Sequence, residues 1–138
     1  WQKQLPAGTR LLCECHGGTI MEDPLVAKEV FAAWGDEAFQ AIVHPFTTDA
    51  NTLRQWFACL GPRITHAHVQ LRDESGTMQR LERQPEVVNE RLRVMREAGF
   101  AGSFTLEFTE GTSSPDESME ALFDAALADL CYLRECLA

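Results

Sequence analysis

The sequence predicts an α/β fold of four consecutive strand–helix units around a parallel sheet. Three observations carry this reading. Segments with an apolar period of two alternate four times with segments whose apolar residues recur at helical spacing. No hairpin signal joins two strands directly, so each strand returns through a helix and its neighbour runs parallel. Each strand segment also ends in polar residues on one face only, the pattern of a parallel sheet that carries chemistry at its strand ends.

The first strand is expected over 11–16, with Leu11, Cys13 and Cys15 on one face and Leu12, Glu14 and His16 on the other. Gly17-Gly18-Thr19 breaks it. A helix follows from Asp23 or Pro24 to Ala33, with Pro24 near its first turn and Leu25, Val26, Val30 and Phe31 towards the core. Gly35 ends that helix. The second strand covers 39–44, where Ile42 and His44 share a face, and Pro45 stops it. Asp49 is the expected N-cap of a helix running to Leu60, with Leu53, Trp56, Phe57 and Leu60 at helical spacing.

Gly61-Pro62 leads into the most informative stretch, 63–73. Thr65, Ala67 and Val69 make a small apolar face suited to packing under helices, whereas His66, His68 and Gln70 make a polar face suited to a site. A long polar loop over 71–84 follows, and loops of that length are often functional. The third helix spans 85–98 on Val88, Leu92 and Met95, with Gly99 at its C′ position. In the fourth strand, 103–109, Phe104, Leu106 and Phe108 oppose Thr105, Glu107 and Thr109. Ser114 as cap, Pro115 at N1 and Glu117 closing a capping box start the last helix. It runs to Leu137 with a stripe of Met119, Leu122, Phe123, Ala126, Leu130, Leu133 and Leu137.

The 138 residues suffice for one domain, 1–138, and the composition, 45% apolar and 24% charged, is that of a soluble globular protein. A net charge of −9 repels phosphate backbones and argues against nucleic acid as a partner. No run approaches the roughly 18 apolar residues of a membrane span, so no membrane partner is expected. No signal peptide is visible, and five cysteines, with Cys13 and Cys15 too close to pair, fit reduced thiols in a cytoplasm. Cys131 and Cys136 lack zinc-site spacing and read as structural thiols. Trp34 and Trp56 read as helix-packing residues. The chain begins at Trp1, not Met, so it is expected to be a fragment of a longer protein.

Each strand ends in a residue able to bind metal, on the face away from the helices: Glu14, His44, His68 and Glu107. The ends of parallel strands converge, so these four can meet at one ion. Two carboxylates and two imidazoles suit Mn, Zn, Co or Fe better than Ca. Arg72, Arg80 and Arg83 in the long loop can hold a sugar phosphate or a carboxylate.

Three stretches together resemble the xylose isomerase-like sugar isomerase/epimerase family. Leu12-Cys13-Glu14-Cys15-His16-Gly17-Gly18-Thr19 is similar to its E-x-H-x-G strand. His66-Ala67-His68-Val69-Gln70 with Asp73 is similar to its H-x-H-x-K-D strand. Glu97-Ala98-Gly99-Phe100-Ala101-Gly102, followed by Phe104-Thr105-Leu106-Glu107, is similar to its G-[YF]-x-G-x-x-x-x-E ending. The resemblance covers nearly the whole chain and implies a (β/α)4 half of a TIM barrel, strands five to eight. It implies metal ligands at Glu14, His68 and Glu107, with the two glutamates also shuttling protons. The second strand departs from the pattern: His44 stands where the family has Asp, and Thr47 where it has His. Gln70 replaces the usual Lys.

The expected function is therefore that of a sugar or sugar phosphate isomerase or epimerase. Glu14 and Glu107 would be catalytic, and His16, His66 and Arg72 substrate-binding. A chain lacking strands one to four is expected not to catalyse alone, and its open inner face and strand edges predict a homo-oligomer. Two alternatives stand beside this reading. One is a catalytically dead barrel that binds a ligand or partner, which the changes at His44 and Thr47 favour. The other is an apurinic-endonuclease-like metal nuclease, which the acidic charge disfavours.

Overall fold

Four strands form one all-parallel sheet in the order β1 (Leu11–Glu14), β2 (Phe39–Val43), β3 (Ile64–Val69) and β4 (Ser103–Leu106). Four helices alternate with them: α1 (Pro24–Trp34), α2 (Ala50–Leu60), α3 (Pro85–Glu97) and α4 (Met119–Leu137). This computed structural model describes residues 4–35 and 38–138, so Trp1 lies outside the described residues. Strand order equals chain order, and the helices touch in the same succession, α1 with α2, α2 with α3, and α3 with α4. Each unit is thus added beside the last, without the reversal of order that marks a doubly wound sheet. No helix among the described residues is long and apolar enough to cross a membrane.

Local chemistry sets the helix starts. Asp23 Oδ1 accepts from the Leu25 and Val26 amides at 2.8 and 3.1 Å, and Pro24 follows at the position where a missing N–H is harmless. Asp49 caps α2 in the same way through Asn51 and Thr52. The start of α4 differs from expectation. Its N-cap is Ser118, which accepts from the Ala121 amide at 3.2 Å. Ser114, Pro115 and Glu117 belong to the turn before it. There Ser113 is left-handed (φ 62°) and donates its N–H to the Glu117 carboxylate, so that carboxylate is not free to close a capping box.

The core lies between sheet and helices. Ala41, Val43, Ala67 and Val69 meet Phe31, Leu53, Trp56, Val88 and Met95. β3 is shaped by a register slip: Ile64 pairs with Ala41 but His66 with Ile42, so two steps on β3 oppose one on β2. Ile64 thereby joins the core, while Thr65, expected beside Ala67 and Val69, is half-buried and donates to Gln40 Oε1 at 2.8 Å. The sheet is tight just beyond. A Cβ at Gly102 would lie 2.1 Å from the Thr65 carbonyl oxygen, so only glycine fits where the chain enters β4.

Several expected faces turn elsewhere. Ala27 and Phe31 bury α1, leaving Leu25, Val26 and Trp34 exposed. In α4 the buried residues are Asp129 and Leu133, whereas Met119 and Phe123 of the expected stripe are 84% and 67% exposed and Leu137 is exposed too. The physical reason is position: α4 leans on α3, on β4 and on the 3-10 turn Leu81–Arg83, and the face with Met119, Phe123, Leu127 and Leu137 is left exposed. β4 stops at Leu106, so the alternation that would align Phe108 with Phe104 and Leu106 ends first, and Phe108 is exposed.

The loop over 71–84 is less polar than its composition predicts. Leu71, Met78 and Leu81 are buried, and Arg72 and Met78 form an isolated antiparallel bridge. Asp129, 2% exposed, ties this loop to α4 and to the end of β4. It accepts from Arg80 Nε at 3.0 Å, from the Leu81 amide at 3.0 Å and from Thr109 Oγ1 at 2.8 Å.

Candidate metal centre

The strand ends bring Glu14, His44, His68 and Glu107 together. One ligand atom from each lies within 4.8 Å of all the others. Glu14 is the last residue of β1, and His68 the last but one of β3. His44 and Glu107 each sit one step past their strands. Pairing continues past the strand ends: the Cys15 amide, next to Glu14, donates to the Ile42 carbonyl, and the Glu107 amide to the Val69 carbonyl, both at 3.0 Å.

His44 Nε2 is 3.3 Å from Glu107 Oε2, and His68 Nδ1 is 3.5 Å from the same oxygen and 3.8 Å from Glu14 Oε1. These gaps are long for direct hydrogen bonds, which run about 2.7–3.2 Å. They match the edges of a coordination shell, since bonds of about 2.1 Å at tetrahedral angles put neighbouring ligands about 3.4 Å apart. His68 Nδ1 is buried and has no hydrogen-bond partner, although two carboxylates face it. A buried ring nitrogen left unpartnered among carboxylate and imidazole ligand atoms fits a divalent cation, and the mixed N/O set fits a transition metal.

The support around the four is unequal. Gln70 Nε2 donates to Glu107 Oε2 at 2.8 Å; the sequence places Gln70 on the polar face with His66 and His68 but does not reveal this partner on the next strand. His44 is 6% exposed. Burial pushes its imidazole below the ordinary value of 6.5, Glu107 and Glu14 pull the other way, and His68 adds to the downward push. The neutral form, the one that offers a lone pair, is thereby favoured. Cys13 and Cys15 alternate away from this face. Burial, with Cys13 beside it, raises the Cys15 thiol to about 12, so it stays protonated at neutral pH.

The residues expected to bind substrate divide. Glu14, His16, His44, Thr47, Gln70, Arg72, Glu107 and Phe108 line an open cavity of about 270 Å3 at the cluster. His16 and Arg72 are therefore in place to touch a ligand. His16 Nδ1 lies 2.8 Å from its neighbour's carbonyl at Gly17, and its Nε2 is 3.9 Å from Glu14 Oε2. His66 is not in that wall. It pairs in register with Ser103, below the cluster, and its Nδ1 sits 2.7 Å from Ser103 Oγ. Arg80 and Arg83 are engaged elsewhere, with Asp129 and Glu110. Asp73 shapes its own loop, accepting from the Ser75 and Thr77 amides at 2.9 Å. Phe108, expected in the core, is instead a wall of the cavity.

Comparison of the sequence with protein-family models gives no match, and comparison with curated proteins gives none either. The class defined by fold and site is an α/β chain with an all-parallel four-stranded sheet and a His/Glu cluster able to hold a metal ion.

Proposed function

We propose that this chain is the metal-bearing half of a xylose isomerase-like barrel, matching its strands five to eight, and that the whole protein is a sugar or sugar phosphate isomerase or epimerase. The observation that carries the reading is the convergence of two carboxylates and two imidazoles from four successive parallel strands. Glu14, His44, His68 and Glu107 would hold Mn, Zn, Co or Fe. Such an ion, when bound, supplies Lewis-acid polarisation of a carbonyl and its adjacent hydroxyl. Glu107 takes the proton from the carbon beside the carbonyl. Its Oε1 is free for this, because Gln70 and both imidazoles meet Oε2. Glu14, three strands away, returns a proton to the neighbouring carbon or to the opposite face of the same one. His16 on the cavity wall orients a substrate hydroxyl.

The test is hydrogen exchange. Glu107→Gln in the intact protein is expected to abolish exchange of the substrate's carbon-bound hydrogen with deuterated solvent, read by NMR, while circular dichroism stays unchanged. Retained exchange would refute the proton-transfer role.

One observation favours a second reading, a barrel that binds a ligand without catalysis. Thr47 stands where the family has a substrate-binding His, and its hydroxyl donates back to the His44 carbonyl at 3.3 Å. Metal analysis separates the two: stoichiometric metal in the purified protein supports the enzyme, and its absence supports the binding barrel.

A further inference from the structure

The hollow at the cluster shares part of its wall with a second one. Its own volume, about 270 Å3, falls short of the roughly 300–1,000 Å3 usual for small-molecule sites. A second cavity of about 400 Å3 adjoins it, and Arg72 and Phe108 line both. Thr77, Thr112, Ser113 and Ser114 are among the residues that line the second cavity.

Arg72 is the cation at the junction. Its Nη1 donates to the Gly76 carbonyl at 2.7 Å, which steadies the guanidinium and leaves further N–H donors for a ligand. Its two neighbours in the loop are neutralised, Arg80 by Asp129 and Arg83 by Glu110. Arg72 pairs with no carboxylate among the described residues, in a chain whose net charge is −9. Of the acids next to this wall in the chain, Asp73 accepts from the Ser75 and Thr77 amides and Glu110 pairs with Arg83, and none of Asp73, Glu110, Asp116 and Glu117 lines either cavity. A planar fork of donors beside a hollow lined in part by Ser and Thr suits an anionic group.

We propose that the substrate spans both cavities, with the oxygens of one end at the four ligands and an anionic terminus, phosphate or carboxylate, held by Arg72 in the second cavity. Phe108 stands between them as an apolar wall for the carbon chain. This rests on reading the cluster as a substrate-binding metal site, and it narrows the substrate from sugars in general to sugar phosphates or sugar acids.

Calorimetric titration with ribitol, ribitol 5-phosphate and ribonate, with and without saturating Mn2+, tests the proposal on the full chain. At least one charged probe is expected to bind tenfold or more tightly than ribitol, and the stronger of the two distinguishes phosphate from carboxylate. Arg72→Gln is expected to bring the probes within twofold of one another while leaving the affinity for Mn2+ alone unchanged. Arg72→Lys, which keeps the charge without the fork, is expected to retain part of the preference and serves if Arg72→Gln does not fold. Equal binding of the three probes, no binding of any, or a preference that survives Arg72→Gln overturns the anionic subsite. Failure of Mn2+ to bind would instead sink the metal reading, and the Arg72-dependent preference measured without metal would still decide the subsite.

Discussion

Gln70 donates its side-chain amide to Glu107 Oε2 at 2.8 Å, linking the ends of neighbouring strands β3 and β4. The same oxygen faces His44 and His68, so Gln70 fixes the rotamer of a carboxylate in the cluster without being part of it. Loss of such an outer partner typically costs about 10–100-fold in metal affinity. Gln70→Ala is expected to weaken Mn2+ or Zn2+ by that factor with the fold intact, measured by competition with a chromophoric chelator. Unchanged affinity would mean that the carboxylate holds its place unaided.

A pH dependence follows from the lowered imidazoles of His44 and His66. Burial and then His68 lower His66, in the same direction as His44. When the folded value lies below the unfolded 6.5, the unfolded chain binds protons first as pH falls, so stability is lost on acidification. Above the unfolded value both states are neutral and the effect vanishes; below it the metal-free protein weakens until pH passes the folded value. Urea melts from about pH 7.5 to about pH 5.5 are expected to show this decline. His44→Gln should flatten the slope and leave the part due to His66. An identical slope in the variant would show that His44 titrates normally.

Asp129 should matter more for stability than any exposed charge. It is buried and satisfies Arg80, the Leu81 amide and Thr109 together. Removing one partner of a buried ion pair typically costs about 3–5 kcal/mol. Asp129→Ala is expected to cost that much in denaturant unfolding, whereas Glu97→Ala, which breaks the exposed pair with Arg93, should cost less than about 1 kcal/mol. Equal effects would contradict this account.

The flanks of the sheet predict self-association. The outer edges of β1 and β4 have no strand partner among the described residues. Beside them, Leu25, Val26 and Trp34 on α1 and Met119, Phe123 and Leu127 on α4 are exposed. Unpaired edges flanked by apolar residues invite pairing, and a two-fold dimer is the commonest outcome. Light scattering at micromolar concentration is expected to give a dimer, and Phe123→Glu a monomer. A wild-type monomer with protected edge amides would show that the flanks need no cover.

The cluster of Glu14, His44, His68 and Glu107 is legible in the sequence because a period of two assigns each residue of a strand to a face, and all four lie at strand ends. It did not reveal Asp129. A lone acid on a helix gives no local sign of Arg80 and Thr109, its partners 49 and 20 positions away. The α4 stripe was misread because helical spacing identifies an apolar face without saying whether anything covers it, as Met119 and Phe123 show. The start of that helix falls at Ser118 instead of the expected Ser114 for a different reason. Ser114 and Ser118 are both chemically suited to cap, and only the left-handed Ser113 with its claim on Glu117 decides between them.

Gly102 gives the centre a narrow mechanical tolerance. It stands five residues before Glu107, touches no ligand, and leaves β4 no clearance above the Thr65 carbonyl. A single methyl group there would push the last strand away from its neighbour, at a cost of about 1–3 kcal/mol for overpacking. The carboxylate at the end of that strand would move with it, while the other three ligands stayed on theirs. The spacing of the four is therefore gauged by a residue with no side chain, and an alanine at position 102 could silence the centre while every ligand remained in the sequence.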